Sequence, residues 1–413
     1  MVTVFGLGFV GLTTALGFAH LGHKVYGVDV DEKRKNILRN GQIPFFEPYM
    51  EEVLNKHLNS NFIITDDVEE AIRNSEYVFY CVGTPYGEMG SADLTYLFSA
   101  IDTTVNAIKD DKFRVLVTKS TIPPATTAEK IYPYVKAKGK IADNIGVANN
   151  PEFLREGHCW KDFIEADRII LGCNDERSKE MLLDLYRDMN IPIKCVSHST
   201  GEFIKYLSNT LLATLISYSN EMAQVADCIG GIEIAEAFKI LHMDKRWNDC
   251  NMTSYAYPGC GYGGYCLPKD TSALYSQAKA KGFEPKILKN VIDTNDNISK
   301  TIAKKITNGL DRDKAVGVLG LSFKPGSDDV RDTPAAKIIN AMVEDGYNNI
   351  YAYDPIAIKE FKEKYPDIII NYCESIDEVH DNSDVIAVVT AWEEFKKVKE
   401  FGNKKIIDCR YML

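Results

Sequence analysis

The strongest chemical signal in the sequence comes from a cysteine, two lysines, two glutamates, an asparagine and an aspartate. Cys266-Leu267-Pro268-Lys269-Asp270 follows the glycine-rich approach Gly259-Cys260-Gly261-Tyr262-Gly263-Gly264. Pro268 suits the first turn of a helix. That places Cys266 at a helix N-terminus, in a positive field that favours thiolate. Lys269 opposes the helix dipole there but stabilises a nearby thiolate or phosphate, and the glycines let backbone approach a ligand closely. A packed structural thiol is the bland alternative. Lys205 and Asn209 lie four residues apart in a segment of helical periodicity, hence on one face. Glu152 and Glu156 fall in Asn150-Pro151-Glu152-Phe153-Leu154-Arg155-Glu156-Gly157, and Thr121 in Lys119-Ser120-Thr121-Ile122-Pro123. Each of these two segments follows an apolar run that reads as a strand. A thiol, a cation and carboxylates suit covalent capture, oxyanion stabilisation and proton transfer. Singly, each has an ordinary reading: Lys205 snorkels, and either glutamate pairs with Arg155 or Arg168.

A second signal opens the chain. Gly6-Leu7-Gly8-Phe9-Val10-Gly11 directly follows the apolar run Val2–Phe5 and begins a helical pattern. Glycines there allow a tight turn and close approach to a pyrophosphate, which the helix N-terminus attracts. The next apolar run ends at Asp29, eighteen residues beyond Gly11. A carboxylate at that place binds ribose hydroxyls and repels a 2′-phosphate, so NAD is expected over NADP. Lys33 and Arg34 soften that preference. Val82-Gly83-Thr84-Pro85 ends another strand, where a parallel sheet places its ligands, so Thr84 is expected near the cofactor. Late in the chain, Gly320-Leu321-Ser322-Phe323-Lys324-Pro325-Gly326 repeats the strand–loop–helix arrangement without the full glycine motif. Lys324 is read as a pyrophosphate or ribose contact. Arg331 adds charge or pairs with Asp328, Asp329 or Asp332, and Asp354 is read as an analogue of Asp29 or a strand-end turn.

These groups need a scaffold. Strands are expected at Val2–Phe5, Lys24–Val28, Tyr77–Val82, Arg114–Thr118, Ile145–Ala148 and Arg168–Leu171, with helices between many of them. That alternation predicts a parallel sheet covered on both faces. Ser199 and Glu202 read as a capping box. Phe203, Leu207, Leu211, Leu215, Tyr218, Met222 and Val225 then follow at three- and four-residue steps, predicting one long helix that ends at Gly230-Gly231. A second helix covers about 232–241, and residues 244–264 read as an ordered loop. The α/β pattern returns with strands Val316–Leu319, Ile350–Tyr353 and Val385–Thr390 and a helix at Pro334–Asp345.

Composition excludes several classes. The 413 residues are 45% hydrophobic and 26% charged, the mix of a globular protein with sizeable cores. A net charge of −11 argues against nucleic acid or an anionic membrane as main partner, though not against an anionic small ligand. No apolar run is long enough to span a bilayer, and no leader pattern is read at the N-terminus, so a cytoplasmic protein is expected. Ten cysteines include no C-x-x-C pair. Free thiols and no metal site are expected.

The motifs, in their order and spacing, resemble the UDP-glucose/GDP-mannose dehydrogenase family over nearly the whole chain. The carrying segments are G-L-G-F-V-G, V-G-T-P, K-S-T-I-P, N-P-E-F-L-R-E-G, G-Y-G-G-Y-C-L-P-K-D and F-K-P-G-S-D-D-V-R-D-T-P-A. Within the family, N-P-E-F-L-R-E-G resembles the UDP-glucose and GDP-mannose branches, and the G-Y-G-G-Y-C form resembles some bacterial UDP-glucose-oxidising members, with GDP-mannose oxidation the runner-up. The resemblance implies an α/β fold of two Rossmann-like parallel-sheet domains joined by a long central helix and a helical middle domain. Its segments would be 1–197 for NAD, 198–300 for dimerisation and the catalytic cysteine, and 301–413 for the UDP-sugar.

The resemblance also implies a four-electron oxidation at C6 of a nucleotide sugar, through a thiohemiacetal and a thioester on Cys266. Lys205 would stabilise the alkoxide-like oxygen, Asn209 would hydrogen-bond it, and Asp270 would orient Lys205 or a water. Glu156 would serve the hydrolytic water, positioned by Thr121, with Glu152 near the nicotinamide; either glutamate remains open as the base. Gly6, Gly8, Phe9, Val10, Gly11, Asp29, Arg34, Thr84, Thr121, Glu156 and Lys269 would contact NAD. Glu152, Phe153, Leu154, Lys205, Asn209, Tyr255, Gly263 and Lys324 would contact the nucleotide sugar, and Arg246 would reach it from a neighbouring subunit of a homodimer. Two positions depart from the family pattern: extra residues separate Arg246 from Cys266, and Leu211 stands where an aromatic is common.

Overall fold

The computed structural model describes residues 1–87, 90–138, 143–244, 255–402 and 404–413. The chain divides into two compact units, Met1–Leu207 and Ser208–Leu413. Among the described residues, the first unit is built on one sheet of eight strands. They are β1 (Val2–Phe5), β2 (Val25–Val28), β3 (Phe62–Ile64), β4 (Tyr77–Tyr80), β5 (Arg114–Thr118), β6 (Ile145–Asn149), β7 (Ile169–Cys173) and β8 (Ile193–Val196). The spatial order is β3-β2-β1-β4-β5-β6-β7-β8. The chain leaves β1 in one direction and returns to its other side at β4. That reversal opens a crevice at the carboxyl ends of β1 and β4, the usual place for a ligand in such a sheet.

The pleat explains the two faces. Val2 and Val4 of β1 pack with Leu12, Leu16 and Phe18 on one side. Phe5 packs with Val78, Tyr80, Leu97 and Ile101 on the other. Successive strand residues point to opposite faces, so a strand covered on both sides is apolar at nearly every position. All pairs in the sheet are parallel except β6 with β7, which run antiparallel. The sequence expectation of parallel strands throughout is corrected at that one pair.

The second unit holds a smaller, wholly parallel sheet: β9 (Val316–Leu319), β10 (Ile350–Tyr353), β11 (Asn371–Tyr372), β12 (Val385–Val388) and β13 (Lys405–Asp408). Its order, β11-β10-β9-β12-β13, again reverses beside the first strand. Val316, Val318, Ile338 and Ile339 form its main core, and Leu319, Val379, Ile386 and Val388 the core of its other face.

The long helix runs His198–Ile229, 32 residues. Its start corrects the expected capping box. Ser197, not Ser199, precedes the helix, and its hydroxyl accepts from the Thr200 amide at 3.3 Å. Glu202 is buried and its carboxylate goes instead to Thr127. The helix buries an unexpected face. Lys205, Tyr206, Asn209, Ala213 and Asn220 are buried, whereas Phe203, Leu207, Leu211, Tyr218 and Val225 are exposed. Helices Ile234–His242, Cys266–Ala280 and Lys286–Thr307 complete this part of the chain. Among the described residues no helix is long and apolar enough to cross a membrane.

Candidate active site

The first glycine turn is shaped for close approach. Gly6 has φ +85°, a conformation that side chains disfavour. A Cβ at Gly11 would lie 1.6 Å from the Gly6 carbonyl oxygen, whereas one at Gly8 would meet nothing within 4 Å. Gly11 is therefore small for packing, and Gly8 keeps the mouth of the turn open. Helix Phe9–His20 begins here with no acidic residue in its first turn, so the amides and dipole of its N-terminus remain suited to an anion. Phe9 stacks on Phe45 with ring centroids 3.9 Å apart, and Val10 occupies the next position of the helix.

Asp29, at the end of β2, is 7% exposed. Its carboxylate accepts from the Leu7 amide at 2.6 Å, from the Asp31 amide at 2.8 Å and from Arg34 at 3.0 Å. The acid thus braces the glycine turn, and Arg34, read from sequence as softening cofactor preference, is the acid's partner. A cradle with an open glycine mouth, a helix N-terminus and an acid at the second strand's end fits a dinucleotide with a free ribose diol. Thr84 lies after β4 and donates to the Thr121 carbonyl at 2.9 Å, tying these two loops together.

The loops after β5 and β6 carry the carboxylates. Lys205 and Glu152 form an ion pair of 2.9 Å, with both side chains 6% exposed. The second oxygen of Glu152 accepts from the Leu154 amide at 2.5 Å. The snorkelling reading of Lys205 is thereby corrected: its ammonium is held inside. Arg155 pairs with Asp162 and Arg168 lies 4.3 Å over the Phe153 ring, so neither is Glu152's partner. Glu156 is half-buried in the same loop. Glu47 accepts from the Gly157 and Cys159 amides, both at 2.8 Å, and fixes the loop's far end. Sequence reasoning passed over Glu47 because it stands alone between motifs.

It also passed over Lys119 as a buried cation. Its ammonium donates to Asn150 at 2.8 Å, and Asn150 is in turn held by Tyr186 at 2.6 Å and by the Ile170 carbonyl. Burial lowers the Lys119 pKa, opposed by Cys81 and Glu152 and reinforced by Lys205. The signal was present in K-S-T, a lysine directly after the strand Arg114–Thr118.

The second unit carries the thiol. Cys266 is the first residue of helix Cys266–Ala280 and is half-buried. Asp270, wholly buried one turn on, accepts from Lys269 at 2.6 Å and from Asn209 at 2.6 Å. Burial pulls the Lys269 ammonium down, but Asp270, Cys266 and Tyr265 more than offset it, and its net shift is upward. Lys269 therefore stays a cation beside the thiol, which favours thiolate.

The glycine approach to the thiol is clamped by two buried asparagines. Asn220 accepts from the Gly259 amide at 2.6 Å. Asn295 accepts from the Tyr262 amide at 2.8 Å and donates to its carbonyl at 3.1 Å. A Cβ at Gly263 would lie 2.5 Å from the Asp332 carbonyl oxygen, so the loop passes directly against the segment that leads into helix Pro334–Glu344. Tyr255 is half-buried at the loop's start. Arg246 lies outside the described residues. Among the described residues no group of His, Cys, Asp and Glu is arranged to hold a metal, and the nine described cysteines are free thiols.

The last sheet repeats the first in outline. Gly320 has φ +102°, and Asp354, at the end of β10, accepts from the Leu321 and Ser322 amides at 2.8 and 3.0 Å. Its other oxygen accepts from the Ile356 and Ala357 amides. Asp354 is thus a satisfied brace for its turn. Arg331 pairs with Asp329 at 2.6 Å and lies over Tyr265, 4.6 Å from the ring centre. Lys324 stands in the loop after β9, its ammonium 5.4 Å from the Phe323 ring.

This architecture has clear relatives. Residues 1–190, 199–297 and 317–413 match the NAD binding, central and UDP binding domains of one family. The chain belongs to the UDP-glucose/GDP-mannose dehydrogenase family. The dehydrogenase is 36% identical to a UDP-glucose 6-dehydrogenase of Haloferax volcanii, over 95% of this chain and 92% of the relative. A solved UDP-glucose dehydrogenase from Pyrobaculum islandicum superposes with a TM-score of 0.91 at 34% identity, covering 99% of this chain and 94% of the other. A GDP-mannose dehydrogenase of Pseudomonas aeruginosa, covering 99% of this chain and 96% of its own, gives 0.58 at 30% identity. The dehydrogenase uses NAD, and the two Rossmann-like sheets and intervening helices are the family's architecture.

Proposed function

We propose that the enzyme oxidises UDP-glucose at C6 to UDP-glucuronate. Similarity over nearly the whole chain to UDP-glucose dehydrogenases, with a thiol at the head of its helix, carries this reading. The segments 1–197, 198–300 and 301–413 would serve NAD, the cysteine chemistry and the nucleotide respectively. NAD, when bound, supplies the hydride acceptor. Gly6, Gly8, Phe9, Val10 and Gly11 would bind its pyrophosphate, and Asp29 its ribose diol with Arg34 as the acid's neighbour. Thr84, Thr121, Glu156 and Lys269 would line the nicotinamide end.

In the first oxidation C6 loses a hydride and its hydroxyl a proton, giving the aldehyde. Lys205 stabilises the oxygen as its charge grows, and Asn209 holds it. The Cys266 thiolate then adds to the aldehyde carbon, and the oxygen takes back the proton given up in the first oxidation, forming a thiohemiacetal. A second hydride leaves C6 and the hydroxyl proton passes to a base, leaving a thioester. Thr121 positions a water, Glu156 or Glu152 takes its proton, and the C–S bond breaks to release carboxylate and thiol. Covalent capture divides a four-electron oxidation and retains the aldehyde. Phe153, Leu154, Tyr255, Gly263 and Lys324 would contact the nucleotide sugar, with Arg246 supplied by a neighbouring subunit.

The exposed apolar stripe of the long helix supports a homodimer, since Phe203, Leu207, Leu211, Tyr218 and Val225 stand at helical spacing on its outer side. A cytoplasmic setting would supply both NAD and nucleotide sugar. The direct test offers NAD with UDP-glucose, GDP-mannose, UDP-galactose and UDP-N-acetyl sugars separately and follows NADH. UDP-glucose should give the highest kcat/KM; a preference for GDP-mannose would overturn the substrate while leaving the chemistry intact.

A further inference from the structure

We propose that Glu202 is a positioning residue for the oxidation: it locks the start of the Lys205 helix to the loop that carries Thr121, and so sets where the Lys205 ammonium stands. The proposal rests on the role given above to Lys205. Glu202 is 3% exposed, and one carboxylate oxygen accepts from the Thr127 amide at 2.7 Å and from the Thr127 hydroxyl at 2.5 Å. Its other oxygen is buried without a hydrogen-bond partner. It therefore seats Thr127, the first residue of the helical segment Thr127–Ile131, against the long helix.

The loop that ends at this seat is held throughout. At its start Ser120 donates to the Val82 carbonyl at 2.6 Å, and Lys119 donates to Asn150. Thr121 receives Thr84. Pro123 and Pro124 stiffen the middle, and Ala125 is held at φ +73°, which a non-glycine residue adopts only under constraint. The helix is seated equally closely. Asn149 donates to the His198 carbonyl at 2.9 Å, and a Cβ at Gly201 would lie 2.3 Å from the Asn149 side-chain oxygen.

Glu202 stands three residues before Lys205, so about 4.5 Å of helix axis separates anchor and ammonium-bearing residue. Over so short a stretch a helix cannot absorb a shift at the anchor, and Lys205 must move with it. Burying a carboxylate is costly unless its bonds are needed. An apolar residue at this site would stabilise the same packing at lower cost, which points to position rather than stability as the reason for an acid here.

The test measures kcat and KM of the full enzyme, normalised to folded protein, for Glu202→Ala, Glu202→Gln, Thr127→Ala and Thr127→Ser. Glu202→Ala should lose about tenfold or more in kcat with UDP-glucose KM within about threefold, as expected when a transition-state contact is misplaced. Glu202→Gln, which keeps the accepting oxygen, should recover most of that loss, and Thr127→Ser should do the same relative to Thr127→Ala. The Glu202→Ala/Thr127→Ala pair should be less than additive in kcat. Wild-type kcat in Glu202→Ala, or a Gln variant as impaired as Ala, overturns the proposal. If Glu202→Ala does not fold, the Thr127 pair decides: unchanged kcat in Thr127→Ala overturns it. Lys205→Ala run alongside separates the two readings, since normal kcat there defeats the Lys205 assignment itself.

Discussion

Lys205 and Glu152 form an ion pair 2.9 Å long with both side chains 6% exposed. A buried pair of this kind gains little net stability, yet losing one partner leaves the other charge stranded, at about 3–5 kcal/mol. Lys205→Ala should therefore lower thermal stability and, separately, lower kcat about 10²- to 10³-fold, the range for loss of an oxyanion donor. UDP-glucose KM should change far less. Steady-state kinetics at a temperature where the variant remains folded check this; normal turnover with only a raised KM would make Lys205 a binding residue.

Cys266 should be the covalent nucleophile. The wild type should yield two NADH per sugar and release little aldehyde. Cys266→Ala should nearly abolish net uronate formation, and supplied 6-aldehyde should not rescue it. In Cys266→Ser a sugar ester should accumulate, visible as a mass increase of the intact protein. Uronate formation by Cys266→Ala near the wild-type rate would return the thiol to a packing role.

Asp29 should govern cofactor choice and brace the glycine turn together. NAD should give much the higher kcat/KM against NADP. Asp29→Ala removes at once the acceptor of the Leu7 amide and the nearer of the two acids beside Arg34. It should raise KM for NAD about tenfold or more and narrow the gap to NADP. Paired titrations of both cofactors check it, and equal kcat/KM in the wild type would refute the assignment.

Stability should fall as pH rises through the range set by Glu202. Burial pushes this carboxyl up from 4.5 to about 7, against the Thr127 hydroxyl and the amides of Thr127, Ala125 and Thr126, which pull it down. The folded pKa lies above the unfolded one, so the folded state keeps a proton that the unfolded chain releases. Its contribution is full below about 4.5, shrinks as pH climbs to about 7 and is flat beyond. Denaturant melts across that range should show this slope in the wild type, and Glu202→Gln should remove its share.

The outer stripe of the long helix should be an interface between copies. Leu211, 51% exposed, stands within it. Leu211→Asp buries a charge if the stripe pairs with its copy, and should shift the protein from dimer to monomer by light scattering. A wild-type protein that is monomeric at working concentration would end the idea.

Much of this enzyme is legible in local sequence. Strand β1, the glycine turn after it, the placement of Asp29 and the helix headed by Cys266 follow from patterns a few residues long, because backbone sterics, pleat and helix period act at that range. Strands Val316–Leu319 and Ile350–Tyr353 fall where the alternation placed them. What sequence left open is which partner each buried polar group takes. Glu202 read as a local cap, yet it bonds a threonine 75 residues away. Asn209 takes Asp270 across 61 residues, and Lys205 takes Glu152 rather than solvent. The exposed side of the long helix was equally hidden, since its apolar stripe has the same period whether it faces a core or a second copy. A buried charge must find whatever opposite charge or donor the folded chain brings near, and chain separation carries no information about that. The tertiary structure alone therefore decided the pairings, while the sequence had already determined the chemistry available to be paired.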